Sequence, residues 1–177
     1  PYRIDLHNSE VDRFPEATSF LRIYHRAGTL ALNRVFPILE NLGFRIIEQI
    51  SYPCGLPADR GNAPVIDIFR VQDDQGRRID TDRQGHRLEE ALLEVLTGRV
   101  KNDRINQLVM KTDLRIREAG LLRTYRAYLS QLSAATRPAF ITRTLLANPL
   151  CAAHLFRIFA ARFDPAAEAG LVAALSC

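Results

Sequence analysis

At 177 residues, 47% apolar and 25% charged, the chain has the composition of a globular protein with enough apolar material for a real core. Its three cysteines (Cys54, Cys151, Cys177) are odd in number and form no CxxC pair, so free thiols in a reducing cytoplasm are expected. No basic, apolar-cored leader opens the chain. The uncharged run Thr144 to Phe156 has 13 residues, too short to cross a bilayer, so no membrane is expected among its partners.

The first hundred residues read as α+β. Tyr2, Ile4 and Leu6 alternate with Arg3, Asp5 and His7, the period-2 mark of a half-buried strand. Phe20 to His25 is a second strand, and His7 and His25 are expected to pair across the two. Leu32, Val35, Phe36, Leu39 and Leu42 then recur at spacings of three and four, one apolar helical stripe. Asn33 is its predicted N-cap, Pro37 falls in its first turn, and Gly43 ends it where a left-handed backbone is tolerated. Phe44 to Tyr52 is a third strand with Ile46 and Ile50 on one face. A loop punctuated by Pro and Gly leads to the fourth, Val65 to Val71, whose apolar-rich pattern predicts a covered position. The acidic run DDQGRRIDTD, with Asp73, Asp74, Asp80 and Asp82, lacks calcium-loop spacing and reads as a solvated loop neutralised by Arg77 and Arg78. A second stripe, through Leu88, Leu92, Leu93 and Leu96, predicts a helix over His86 to Val100. The predicted fold is a small mixed four-stranded sheet with two helices on one face.

From Asp103 onward the reading is all-helical. Leu114, Leu121, Leu122, Tyr125, Leu129 and Leu132 line one face, Pro138 and Pro149 mark new helix starts, and Asp164-Pro165 ends the helix that Pro149 opens. This divides the chain into an α+β part, residues 1–100, and a helical part, residues 101–177. The first holds 13 Arg against 15 acidic residues, the second 11 Lys plus Arg against 5. The basic charges stand singly on amphipathic helices, so no nucleic acid is expected as partner. The chain starts at Pro1 and stops at Cys177 inside a helix-like run, as expected of a fragment.

Groups suited to chemistry are sparse. There is no GxGxxG to seat a dinucleotide, and Lys101 and Lys111 are the only lysines. Cys151 and His154 share a helix face, but two ligands make no tetrahedral site. No catalytic, cofactor-binding or metal residue is assigned. The candidate binding feature is the strand-to-helix turn: Arg26, Gly28, Thr29 and Asn33. There a glycine admits a close ligand and helix-start N–H groups favour a carboxylate.

The phrases PILENLGFRII (37–47), LLANP (145–149) and RFDP (162–165), with Leu122-Arg123, Tyr125 and Tyr128-Leu129, resemble the large bacterial NAD-specific glutamate dehydrogenases. The resemblance covers roughly residues 20–72 and 103–165. It implies an ACT-like regulatory domain followed by a helical block upstream of a catalytic domain. It further implies a parent enzyme that oxidatively deaminates L-glutamate to 2-oxoglutarate and ammonia, with NAD bound elsewhere. Its implied partners are that catalytic domain, further subunits of a homo-oligomer, and an amino-acid effector at the turn. Arg34 stands where the family usually carries an acid, and Ile116 where it often carries Trp. The alternative is a free-standing α+β module that binds a protein or RNA. For RNA, Phe69 is the one candidate base-stacking aromatic on the central strands.

Overall fold

A computed structural model describes residues 2–8, 17–26, 30–54, 63–132 and 137–163. Strand β1 (Arg3–His7) runs antiparallel to β2 (Ser19–Arg26), with Ile4 opposite Ile23 and Leu6 opposite Leu21. Strand β4 (Pro64–Gln72) lies between β2 and β3 (Arg45–Pro53), giving the order β1-β2-β4-β3. The central place of β4 matches its apolar run. All three pairings are antiparallel where a mixed sheet was expected. The parallel pair implied by a strand–helix–strand crossover is present in direction only, since β2 and β3 both run against the β4 that separates them. Without β1, the order β2, α1, β3, β4, α2 is a split β-α-β pattern short of its final strand. β1 covers the outer edge of β2.

Helix α1 (Leu32–Leu42) buries Val35, Ile38, Leu39 and Leu42, as its stripe predicts. Its N-cap is Ala31 and not Asn33: the Ala31 carbonyl accepts from Arg34 N–H (2.9 Å) and Val35 N–H (3.2 Å), and no side chain caps the helix. Asn33 already has helical geometry, so its exposed side chain points to solvent. With the start two residues earlier, Pro37 sits inside the helix, where the carbonyl of Asn33 lacks an in-helix donor. Gly43, at φ 97°, closes α1 as expected. Gly43 N–H donates to Glu40 and Phe44 N–H to Leu39, both at 3.0 Å, a Schellman closure.

Helix α2 (Thr81–Leu96) begins five residues before the predicted start at His86 and ends four before Val100. Asp80 caps it by accepting from Arg83 N–H at 3.1 Å. The acidic run is therefore more structured than a solvated loop, since Asp73 is also buried and accepts from the amides of Gln75 and Arg77. Leu88, Leu92, Val95 and Leu96 face the sheet, and Phe36 of α1 meets Phe69 of β4 edge-on at 6.2 Å. Both helices lie on one face of the sheet. The other face presents Phe20, Arg22, Glu48, Ile50, Tyr52, Ile68 and Arg70 to a shallow concavity.

Strand β3 departs from its expected pattern. Ile46 pairs with Val71 but Glu48 pairs with Arg70, so Ile47 is one residue too many: a β-bulge. Ile46 and Ile50 consequently fall on opposite faces. Ile46 joins the core side, and Ile50, opposite Ile68, is 44% exposed on the open side.

The helical part opens with a 3-10 turn (Arg104–Gln107) running into α3 (Leu108–Lys111). Next come α4 (Ile116–Leu132), α5 (Pro138–Ala147) and α6 (Pro149–Phe163). Both prolines open helices as predicted, and α5 and α6 meet at 102°. Among the described residues no single helix is long and apolar enough to cross a membrane. The buried cluster runs from Leu21, Phe69 and Leu92 into Ile105, Leu108, Ile116 and Leu122 without a break. Asp103 fastens this junction. Its carboxylate accepts from Ile105 N–H (3.0 Å), Arg123 Nε (2.9 Å) and Arg126 Nη2 (3.0 Å).

Candidate effector site and family

Of the four residues predicted for effector binding, Arg26 and Asn33 are described; Gly28 and Thr29 lie outside the described residues. Arg26 ends β2 opposite Pro64, at the same end of the sheet as the start of α1, and both Arg26 and Asn33 are exposed. Among the described residues no side chain caps the first-turn N–H groups of α1, the kind of position that favours an anion. Arg34 does not lean toward the turn. Its Nη2 donates to the Leu96 carbonyl at 3.0 Å, so its charge sits on the C-terminal end of α2, where a cation is favoured.

Next to this turn lies a polar cluster that the sequence reading missed. His25 and Asp67, each with a side chain only 4% exposed, meet at 2.9 Å through Nε2 and Oδ2. His25 Nδ1 lies 2.8 Å from the Arg26 carbonyl. The other Asp67 oxygen accepts from Gln49 Nε2 (3.1 Å) and from the Ser51 hydroxyl. The bulge at Ile47 makes this possible, because it turns Gln49 and Ser51 to the side of the sheet that carries Asp67. A buried carboxylate is costly unless hydrogen-bonded, and this one accepts from three side chains. The available signal was period 2: Asp67 shares a face with Phe69 and Val71, so a charge was bound to fall at a core position.

His25 thus pairs with Asp67 and not with His7. β1 and β2 are antiparallel, so His7 falls opposite Phe20, with the two rings stacked at 5.8 Å, far along the strand from His25. Cys151 and His154 are both exposed on α6, and among the described residues no three His, Cys, Asp or Glu side chains group as a metal site. Phe69 is fully buried beneath Phe36 and presents no face to a nucleotide base.

The fold agrees with the comparisons. A family model described as "Glutamate dehydrogenase, ACT3 domain" matches residues 1–84, and one described as "Glutamate dehydrogenase, helical motif 3" matches residues 100–165. The NAD-specific glutamate dehydrogenase of Pseudomonas aeruginosa is 33% identical over 142 residues, 80% of this chain. The chain belongs to the large NAD-specific glutamate dehydrogenase family. Its relatives of that name in Halomonas elongata and Mycobacterium tuberculosis are 29% and 28% identical, over 85% and 77% of the chain. The chain spans about 9% of the length of each of these three glutamate dehydrogenases. The ACT3 match includes the whole sheet and stops in the first turn of α2; the helical-motif match takes in α3 through α6.

Proposed function

We propose that this chain is a non-catalytic regulatory and assembly segment of an NAD-dependent glutamate dehydrogenase. The whole protein converts L-glutamate to 2-oxoglutarate and ammonia with NAD held by other parts. The observation that carries the assembly role is an open apolar groove of about 410 Å³ between α4, α5 and α6. It is lined by Leu122, Tyr125, Leu129, Leu145, Leu155 and Phe159, among others. Apolar surface of this kind marks an interface. A chain that is one small part of its relatives' length has its occupant at hand: the catalytic domain or a neighbouring subunit of the same enzyme.

The regulatory role rests on the uncapped start of α1 and the buried cluster behind it. An amino acid seated at the β2–α1 turn places its carboxylate on the helix N–H groups, with Asn33 and Arg26 beside it. A thermal-shift screen against the twenty amino acids, with NAD as a control, tests this. A ligand at a hundred times its dissociation constant adds about 2.7 kcal/mol. A shift with one amino acid that Asn33→Leu abolishes supports the role, and a shift with NAD overturns the placement of the dinucleotide elsewhere. For assembly, the full enzyme carrying Leu129→Asp and Leu155→Asp is expected to sediment as smaller species. Unchanged sedimentation rejects the groove as an interface.

A further inference from the structure

A concavity of about 650 Å³ lies away from the β2–α1 turn, between the start of α2, the end of α3 and the start of α6. Six cations border it: Arg77, Arg78, Arg83, Arg87, Lys111 and Arg157. Three carboxylates do so as well. Asp73 holds Arg77 Nε at 2.8 Å, Asp113 holds Arg157 Nη2 at 2.7 Å, and Asp80 is engaged by the Arg83 amide as the α2 cap. Lys111 pairs with Asp74 just outside the lining. Counting Asp74 as well, cations exceed carboxylates by two.

Arg78 has an interaction of its own, and the unspent donors belong to Arg83 and Arg87. The Arg83 side chain has no partner among the described residues. Arg87 spends Nη2 on the Thr112 carbonyl (2.9 Å), and its Nε is buried without any acceptor. Arg83 and Arg87 stand one turn apart on the same face of α2. The N-terminal ends of α2 and α6, helices of 16 and 15 residues, both open beside the cavity and add positive potential. Asp73 and Asp113 are held in the charged form by their neighbours. Burial raises the Asp73 carboxyl, but hydrogen bonds from Arg77 and Gln75 outweigh it and hold it below the ordinary carboxylate value. The hydrogen bond from Arg157 does the same for Asp113.

We propose that this cavity binds a small polyanion bearing phosphate or several carboxylates, clasped by Arg83 and Arg87 on one side and by Lys111 and Arg157 on the other. Arg83 falls within the stretch matched to the ACT3 domain, and Lys111 and Arg157 within helical motif 3. The ligand therefore ties the two together. Nothing in this depends on an amino acid binding at the β2–α1 turn.

Calorimetric titration of the 177-residue chain with pyrophosphate and with tricarballylate, against chloride at matched ionic strength, tests the proposal. One site per chain is expected for at least one anion: pyrophosphate alone assigns a phosphate ligand, tricarballylate alone a polycarboxylate. Arg83→Glu, which breaks no side-chain hydrogen bond or ion pair among the described residues, is expected to weaken binding at least about tenfold. Arg104→Glu makes the same charge change at an exposed position outside the cavity and is expected to weaken it less than about twofold. Heat from neither anion overturns the proposal. So does equal weakening by the two variants, or undiminished binding by Arg83→Glu.

Discussion

The sheet half and the helical half are built from the same apolar side chains and treat them differently. Leu21, Ile23, Leu39 and Leu92 are at most 1% exposed, whereas Leu129, Phe140, Leu132 and Ile158 are 45%, 55%, 64% and 66% exposed. Helix α4 contains both behaviours. Its first turns bury Ile116, Ala119 and Leu122, whereas the continuation of the same stripe, Tyr125, Leu129 and Leu132, stays largely exposed, with Tyr125 meeting only the edge of Phe159 among the described aromatic rings. An amphipathic stripe states that a helix has a face to hide. Whether it is hidden depends on what the rest of the molecule brings to it, and here the second half of α4 stays exposed.

That contrast can be broken at its closed end or sharpened at its open end. Phe69→Ala, at a fully buried central-strand position, is expected to cost about 3–5 kcal/mol in a denaturant melt. A loss below about 1 kcal/mol shows that the sheet core is not packed as described. Asp103→Ala strands Arg123 and Arg126 where the halves join and is expected to cost about 2–3 kcal/mol. Burial raises the Asp103 carboxyl, but Arg123, Arg126 and the Ile105 amide together hold it below its ordinary value of 3.8. A folded value below the unfolded one gives stability that is complete above the unfolded value and lost as pH falls through the folded one. The melting temperature is therefore expected to drop below about pH 4, and less steeply in Asp103→Ala.

Gly43→Ala forces a side chain into φ 97° with its Cβ 3.0 Å from Gln107 Cγ. An expected cost of about 1–2 kcal/mol, read from the same melts, tests the seam between α1 and the 3-10 turn. At the open end, Leu155→Asp is expected to leave the melt of this chain within about 0.5 kcal/mol. A large destabilisation there shows that the face is already covered within the chain.

Much of the fold was legible because it depended on neighbours in sequence. The α1 stripe, the Gly43 stop and the proline starts of α5 and α6 are each decided within about one helical turn. The misses were decided at a distance or by one-residue shifts. Asn33 lost the cap because the helix needed only a backbone carbonyl at Ala31. The start of α2 hid in DTDRQ, whose first turn is polar on its exposed side and carries no stripe. The fastening at Asp103 draws on Arg123 and Arg126, 20 and 23 residues away, which no local pattern connects. Of the candidate site, Gly28 and Thr29 lie outside the described residues, and the helix start falls at Ala31 and not at Asn33. The His25–Asp67 pair required knowing that β4 lies beside β2.

The extra residue in β3 works as a half-twist in a ribbon. Upstream of Ile47 the strand shows the helices its greasy side. Downstream it shows them amide and hydroxyl, and sends Ile50 and Tyr52 out to the far surface. Pairing the same residues without the bulge, Ile47 opposite Arg70, would swap an isoleucine and a tyrosine into the interior for a glutamine and a serine. The carboxylate of Asp67 would then sit in grease. Deleting Ile47 outright would instead leave Glu48 opposite Arg70 and Ser51 opposite Asp67, so the polar cluster depends on the register of the strand and not on its length.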